Sequence, residues 1–357
     1  MTLFLAAAAG LWGLGWMLRM PLQARGLMIG LLYLAVIAAL LVLPEGAPLR
    51  QTLGGSAGNW LVLGALGALA YGYAGMLKRL RARVRPENKA DTPQEEPDQS
   101  APLTDAELDR YARHIVLREL GGMGQRRLKA AKVLVIGAGG LGSPVLEYLG
   151  AAGVGTLGVI DDDVVDASNL QRQVIHSAAT LGMPKVFSAQ TRLRDLNPNV
   201  IVRPYHRRLT EEIAEDLIAG YDLVLDGCDD FATRALVNRT CVALGKPLIS
   251  GAITQWEGQL ALFDPATGGP CYACIFPQEP AAGLAPSCAE GGVIGPLPGV
   301  IGTMMAVEAI KRICEIGAPL NDALLIYDGL WGETRRIALT RNPDCPVCGA
   351  VPSTESS

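Results

Sequence analysis

A glycine-rich segment, GAGGLG at residues 137–142, directly follows a short apolar run and opens a helical pattern. Glycines at such a strand-to-helix turn let backbone N–H groups approach phosphate oxygens at the helix N-terminus. Asp161 ends the next apolar run, where a carboxylate can hold ribose hydroxyls. The pattern predicts a nucleotide site but leaves NAD, FAD and ATP open, and a tight turn without a ligand is the alternative. The candidate residues are Gly137, Gly139, Gly140, Gly142 and Asp161.

Two cations further along the chain could clamp a charged ligand. Arg172 lies in the polar segment SNLQRQ, and Lys185 follows in the segment MPK. A triphosphate needs Arg and Lys clamps together with a metal ion, whereas a dinucleotide needs at most a light counter-charge. Either cation alone is weak support, because most Arg and Lys side chains are merely solvated.

An acidic segment, DGCDD at residues 226–230, ends an apolar run rich in Val and Leu. In an open parallel sheet, ligands bind beyond the carboxyl ends of the strands. A carboxylate at that place suits Mg²⁺ that bridges nucleotide phosphates. An Asx turn or a helix cap is the alternative interpretation of these aspartates.

Two Cys-x-x-Cys pairs predict a metal site of four thiolates, which is the ligand set of a closed structural zinc centre. The pairs are far apart in the chain, so the metal would staple the C-terminal part back onto the body. A redox pair is the alternative. Paired cysteines of this kind also indicate a reducing compartment. The predicted ligands are Cys271, Cys274, Cys345 and Cys348.

Short apolar runs alternate with helical patterns through the body of the chain. This alternation predicts an α/β fold with a doubly wound, Rossmann-like, mostly parallel sheet. A capping box, Thr104 to Glu107, should begin the first helix of the body. The predicted strands are residues 132–136, 156–161, 200–203, 222–226 and 247–250.

The N-terminal part differs from the body in composition, because residues 1–77 contain only four charged residues. Three uncharged stretches, 1–18, 26–44 and 51–77, each predict a transmembrane helix. The basic run that follows places the body in the cytoplasm by the positive-inside rule, which predicts a multi-pass inner-membrane protein. The predicted domains are a transmembrane segment at 1–78, a basic stop and linker at 79–103, a catalytic domain at 104–350 and a tail at 351–357.

Composition excludes two further classes of protein. Half of the residues are hydrophobic, so the body is not disordered. The net charge is −4, and the sequence lacks the basic footprint of a nucleic-acid binder.

Residues 104–350 resemble the MoeB/ThiF/HesA family of adenylating enzymes, which are relatives of ubiquitin-activating enzymes, and MoeB is the most similar branch. The resemblance implies that ATP adenylates the C-terminal Gly-Gly carboxylate of a ubiquitin-like sulfur carrier protein, of the MoaD or ThiS kind. The product would serve molybdopterin or thiamine biosynthesis. The motifs that carry the likeness are RYAR at 110–113, the glycine loop, Asp161, SNLQRQ at 168–173, Pro184-Lys185, Cys228-Asp229, EGQ at 257–259 and both cysteine pairs.

The resemblance also implies a role for each matching residue. Asp161 would hold the ribose, and Asp229 would hold Mg²⁺. Asn169, Arg172 and Lys185 would contact phosphates. Arg113 matches an arginine that reaches into the site of the partner subunit, which implies a homodimer. An exposed helix-end cation is the alternative for Arg113.

Two positions leave questions open. Asp230 stands where the family usually has Asn, which puts nucleotide affinity in doubt. Cys288 aligns with a cysteine that some branches use for thioester or persulfide chemistry, and an unreactive loop thiol is the equal alternative. A sulfur donor would have to act in trans.

Two competing functions remain: a membrane-tethered binding module without turnover, and an NAD-dependent oxidoreductase.

Overall fold

The computed structural model describes residues 2–18, 20, 22–44, 47–53, 56–84, 98, 100–279 and 291–350. Most of the predicted linker, the tail at 351–357 and Cys288 lie outside the described residues. The chain divides into two compact units, Met1–Gln94 and Glu95–Ser357.

The described part of the first unit contains helices and no strand. Phe4 and Trp60 pack edge to face with ring centroids 5.1 Å apart, and Leu40 is buried beside them. The helices are α1 (Thr2–Met17), α2 (Leu22–Val42), α3 (Pro48–Leu53) and α4 (Ala57–Val84).

The prediction of three transmembrane helices is wrong in number. Among the described residues, one segment is long and apolar enough to cross a membrane, Ala24–Val42, with a mean hydropathy of 2.3. Helix α1 rises only about 24 Å at 1.5 Å per residue, which is short of a hydrocarbon core of about 30 Å. In α4 the described residues Gly58–Leu69 form a shorter apolar stretch.

The second unit contains one eight-stranded sheet with the order β3-β2-β1-β4-β5-β6-β7-β8. The α/β, Rossmann-like prediction is confirmed. The strands are β1 (Lys132–Ile136), β2 (Thr156–Ile160), β3 (Ile201–Tyr205), β4 (Leu223–Asp226), β5 (Leu248–Ile253), β6 (Glu257–Phe263), β7 (Ala323–Asp328) and β8 (Glu333–Ala338).

The sheet is mixed, which refines the mostly parallel prediction. Strands β3, β2, β1, β4 and β5 pair in parallel, whereas β5 to β8 pair antiparallel. Connection length explains two of these antiparallel pairs, β5–β6 and β7–β8. Three residues join β5 to β6 and four join β7 to β8, and such short turns can connect only antiparallel neighbours.

Helices cover both faces of the parallel strands, and β1, β2, β4 and β5 are mostly buried. Strand β3, at the edge of the sheet, is half-buried. The capping box is confirmed: Thr104 accepts the Glu107 N–H, and the Glu107 carboxylate accepts the Thr104 N–H at 2.9 Å. The helices of this unit are α5 (Asp105–Arg110), α6 (Ala112–Ile115), α7 (Gly121–Ala130), α8 (Gly142–Ala152), α9 (Lys185–Leu196), α10 (Glu211–Ala219), α11 (Phe231–Ala243), α12 (Tyr272–Ile275) and α13 (Pro296–Cys314).

The strand order reverses beside β1, which lies between β2 and β4. Ile136 at the end of β1 pairs with Ile160 of β2 and with Asp226 of β4. Three carboxyl ends therefore meet at one edge of the sheet. Such a switch point is where open α/β sheets form a ligand crevice.

Gly153, which ends α8, supports a stability prediction. Its φ is 83°, and a β-carbon there would lie 2.4 Å from the Tyr111 ring. We expect Gly153→Ala to lower the free energy of unfolding by at least about 3 kcal/mol, because overpacking adds to the left-handed backbone strain. Gly182→Ala is the control, since its φ is 77° with open space around it. We expect it to cost only about 1–2 kcal/mol. Chemical denaturation of both variants measures the difference, and equal losses would contradict the assigned clash.

Candidate functional site

The glycine loop between β1 and α8 is built by close backbone approach. Gly137 has a φ of 90°. A β-carbon on residue 142 would lie only 1.9 Å from the Gly137 carbonyl oxygen, so a side chain there would clash with the loop backbone. Gly142 is therefore required for α8 to begin directly behind β1. The turn leaves the N-terminal end of α8 facing the crevice, where a helix can bind an anion.

Two side chains clamp Ala138, at the centre of this loop. The Ala138 N–H donates to Asp161 Oδ2 at 2.8 Å, and His176 Nε2 lies 2.9 Å from the Ala138 carbonyl oxygen. Asp161 Oδ1 accepts the Asp163 N–H at 2.8 Å. Each Asp161 oxygen keeps a second acceptor position, so the carboxylate can hold the loop and still receive a ribose hydroxyl.

His176 is a site residue that the sequence interpretation missed. Burial lowers its pKa, and the nearby Lys185 acts in the same direction, against the hydrogen bond to Ala138. The imidazole is therefore neutral at neutral pH, donates from Nε2 to Ala138, and places Nδ1 2.9 Å from Ser188 Oγ. Ser188 lies on α9, so His176 ties the glycine loop to the helix that begins at Lys185.

The predicted cations are already engaged by acceptors of the protein. Lys185 Nζ lies 2.7 Å from Asp163 Oδ2, and the lysine side chain is buried. Arg172 donates to Asn169 Oδ1 at 3.0 Å. A β-carbon at Gly140 would lie 3.8 Å from Arg172 Cγ, so the structure brings this arginine against the glycine loop.

Gln173, next to Arg172, is buried but incompletely bonded. It is 5% exposed, and its Oε1 has no hydrogen-bond partner among the described residues. A buried acceptor without a partner costs about 1–3 kcal/mol. A β-carbon at Gly139 would lie 3.6 Å from Gln173 Nε2, so the amide borders the same loop. Its place in the motif SNLQRQ was visible in the sequence, but its unpaired oxygen was not.

The acidic segment after β4 is held from two sides at Cys228. Asp226 Oδ1 accepts the Cys228 N–H at 3.0 Å, and Arg234 from α11 donates to the Cys228 carbonyl. Arg234 also donates to the Gly251 carbonyl at 2.8 Å and lies 3.4 Å from Asp226 Oδ2. With its predecessor fixed in this way, Asp229 extends from an ordered backbone and is exposed.

Asp230 has a structural function. Its side chain accepts the Thr233 N–H at 2.8 Å and so forms the N-cap of α11. Asp and Asn cap helices about equally well, and a negative charge at this end is favourable for the helix dipole. Arg208 Nη2 lies 3.7 Å from the other oxygen. The helix-cap alternative is therefore the one observed for Asp230.

Cys228 is not a reactive thiol. Burial and the neighbouring Asp226 carboxylate raise its pKa well above the ordinary value, so it stays protonated.

Arg113 lies on α6 and is exposed.

The four predicted metal ligands converge. The sulfur of Cys271 lies 3.9 Å from that of Cys274 and 3.6 Å from that of Cys345, and the sulfurs of Cys274 and Cys348 are 3.4 Å apart. All four sulfurs lie within 4.8 Å of one another. Disulfide sulfurs are about 2.05 Å apart, whereas a tetrahedron with Zn–S bonds of about 2.3 Å requires S···S distances of about 3.8 Å. The donor set and its spacing therefore fit a closed zinc centre.

The family model described as the ThiF family matches residues 111–347, which include the glycine loop, the acidic segment, the first cysteine pair and Cys345 of the second pair. The chain belongs to the ThiF family.

Curated relatives and solved structures agree with that assignment. A sulfur carrier protein adenylyltransferase of Thermus thermophilus is 52% identical over 254 residues, which cover 70% of this chain and 94% of the relative. The adenylyltransferase and sulfurtransferase MOCS3 of Mus musculus is 46% identical over 285 residues, and the match spans 78% of this chain but only 62% of that relative.

Among solved structures, Escherichia coli MccB crystallised with ATP has a TM-score of 0.60 at 23% identity. The match covers 67% of this chain and 74% of MccB. At that identity, the likeness shows the ThiF fold alone.

The clamp on the acidic segment yields a prediction about stability. We expect Arg234→Met to lower the free energy of unfolding by about 3–5 kcal/mol, because it leaves the Asp226 carboxylate buried and uncompensated. Arg239→Met on the same helix is the control: Arg239 forms an exposed pair with Glu211, which contributes about 0–1 kcal/mol. Urea denaturation compares the two variants. A loss for Arg234→Met no larger than for Arg239→Met would rule out the clamp.

Proposed function

We propose that this chain uses ATP to adenylate the C-terminal Gly-Gly carboxylate of a ubiquitin-like sulfur carrier protein. The observation that carries the proposal is the convergence of the glycine loop, two cations and an exposed aspartate at the switch point of the sheet. The identity to a sulfur carrier protein adenylyltransferase supports it.

The reaction needs no protein nucleophile, because the carrier carboxylate is already ionised. One of its oxygens forms a bond to the α-phosphorus of ATP. The bond from that phosphorus to the bridging oxygen breaks, and pyrophosphate leaves with the electron pair. The enzyme has to orient the two reactants and neutralise the charge that develops on the phosphates.

Each part of the site has a task in this scheme. The loop glycines Gly137, Gly139, Gly140 and Gly142 allow backbone N–H groups to approach the phosphates. Asp161 holds the ribose.

Arg172, Lys185 and Asn169 bind phosphate oxygens. To do so, Lys185 exchanges the Asp163 carboxylate, 2.7 Å away, for a phosphate oxygen.

The metals have separate tasks. Asp229 is the magnesium ligand, and bound Mg²⁺ would screen the charge of the triphosphate. Zinc at the four cysteines would hold the C-terminal part of the chain against the body and take no part in catalysis, because a site of four thiolates leaves no open position.

The proposal includes a second copy of this chain, the carrier protein and a sulfur donor as partners. Arg113 acts across a homodimer interface, and sulfur comes from a donor in trans after the carrier is adenylated. The carrier serves molybdopterin or thiamine biosynthesis. Participation of Cys288 remains a prediction.

We also propose that the chain is anchored in the inner membrane, with the catalytic part in the cytoplasm. The apolar helix segment Ala24–Val42 supports an anchor. The basic run after residue 77 supports the orientation by the positive-inside rule.

The competing functions have little support. An NAD-dependent oxidoreductase would leave the paired cations, Lys185 and Arg172, without a role. The binding module without turnover rested on Asp230, and that residue caps a helix.

Asp229→Ala tests the proposed chemistry. We expect carrier-dependent ATP–pyrophosphate exchange to fall by at least about 100-fold, the loss typical when one stabilising group of a transition state is removed. Asp230→Asn is the matched control, because it keeps the N-cap and supplies the residue usual in the family, so exchange should stay within a few-fold of the parent protein. Full exchange by a folded Asp229→Ala protein would disprove the magnesium assignment.

A mixing experiment tests the position of Arg113. Arg113→Ala and Asp229→Ala should each abolish exchange alone. If Arg113 acts in the partner's site, subunit exchange creates heterodimers that contain one intact site, and a one-to-one mixture should recover about a quarter of the parent activity. No recovery, in a mixture shown to contain heterodimers, would place Arg113 in its own subunit's site, whereas full exchange by Arg113→Ala alone would place it outside the chemistry.

A further inference from the structure

Asn238 connects helix α11 to the four-cysteine cluster. Its Nδ2 donates to Cys271 Sγ at 3.7 Å, and its Oδ1 accepts the Tyr272 N–H at 2.9 Å. The side chain is 2% exposed, so water does not compete for either hydrogen bond. One amide thus holds both a ligand sulfur and the backbone of the next residue.

The cluster needs such a donor because of its charge. Four thiolates around Zn²⁺ carry a net charge of roughly −2. Cys271 and Cys348 are fully buried and Cys345 nearly so, and a buried charge is costly unless hydrogen bonds compensate it. An N–H that points at a ligand sulfur withdraws part of that charge and fixes the direction of the sulfur lone pair.

We infer that Asn238 is a positioning residue of the zinc centre, whose amide N–H orients Cys271 and stabilises the tetrathiolate charge. This inference goes beyond the proposed function and does not depend on it. An alternative is that Asn238 only fills space beneath Tyr272, and that alternative makes different predictions for the metal.

Asn238→Leu replaces the amide with an apolar group of similar size. We expect zinc affinity, measured by competition with a chromophoric chelator on the full-length protein, to fall by about 10–100-fold, as for other groups that orient metal ligands. Gln278→Leu is the matched control: Gln278 follows Cys274 by four residues and is exposed, so loss of its amide should leave zinc affinity unchanged.

Cobalt provides a readout that simple space filling would not change. With Co²⁺ in place of zinc, loss of the N–H donor makes Cys271 a better electron donor, so the sulfur-to-cobalt charge-transfer band should move to longer wavelength. Gln278→Leu should leave the band in place.

Asn238→Ser keeps the test decisive if Asn238→Leu fails to fold, because the serine hydroxyl is too short to reach Cys271 Sγ. It should show the same loss of affinity and the same band shift. Parent-like zinc affinity and an unmoved cobalt band in either folded variant would overturn the inference.

Discussion

The structure depends on the hydrogen-bond partners that the backbone N–H and C=O groups of the loops find at the edge where β2, β1 and β4 end. A loop between a strand and a helix lacks ladder partners, and buried backbone groups need other partners. Here side chains supply them: Asp161 and His176 hold Ala138, and Asp226 and Arg234 hold Cys228. Because these clamps come from four different segments, the crevice is rigid only when the whole α/β unit is folded.

Helix α11 connects two sites that the sequence presents as unrelated. Asp230 caps its first turn, Arg234 holds the acidic segment, and Asn238 contacts the cysteine cluster. Arg234 and Asn238 are four residues apart and therefore lie on one face of the helix. The cluster at the end of the chain thus supports the same helix that orients the backbone before Asp229.

Local patterns predicted the parallel half of the sheet well, because buried strands flanked by glycines and helices are distinctive within a short window. Strands β6 to β8 went unpredicted, and β8 is exposed along its whole length, so no apolar alternation marked it. His176, Arg234 and Asn238 were missed for another reason. Each functions through partners distant in sequence, and only the fold brings those partners together.

The state of the cations favours a triphosphate over a dinucleotide as the ligand. The Lys185 charge is paired with the Asp163 carboxylate, whereas Arg172 donates to the neutral Asn169 amide. A ligand must therefore displace a carboxylate at Lys185 and a neutral acceptor at Arg172. A buried lysine gives up a carboxylate only for an acceptor of equal or greater charge, because an unpaired buried cation is strongly unfavourable. The phosphates of ATP carry more charge than the Asp163 carboxylate and can supply oxygens to Lys185 and Arg172 together, whereas each NAD phosphate, with a single charge, only equals that carboxylate.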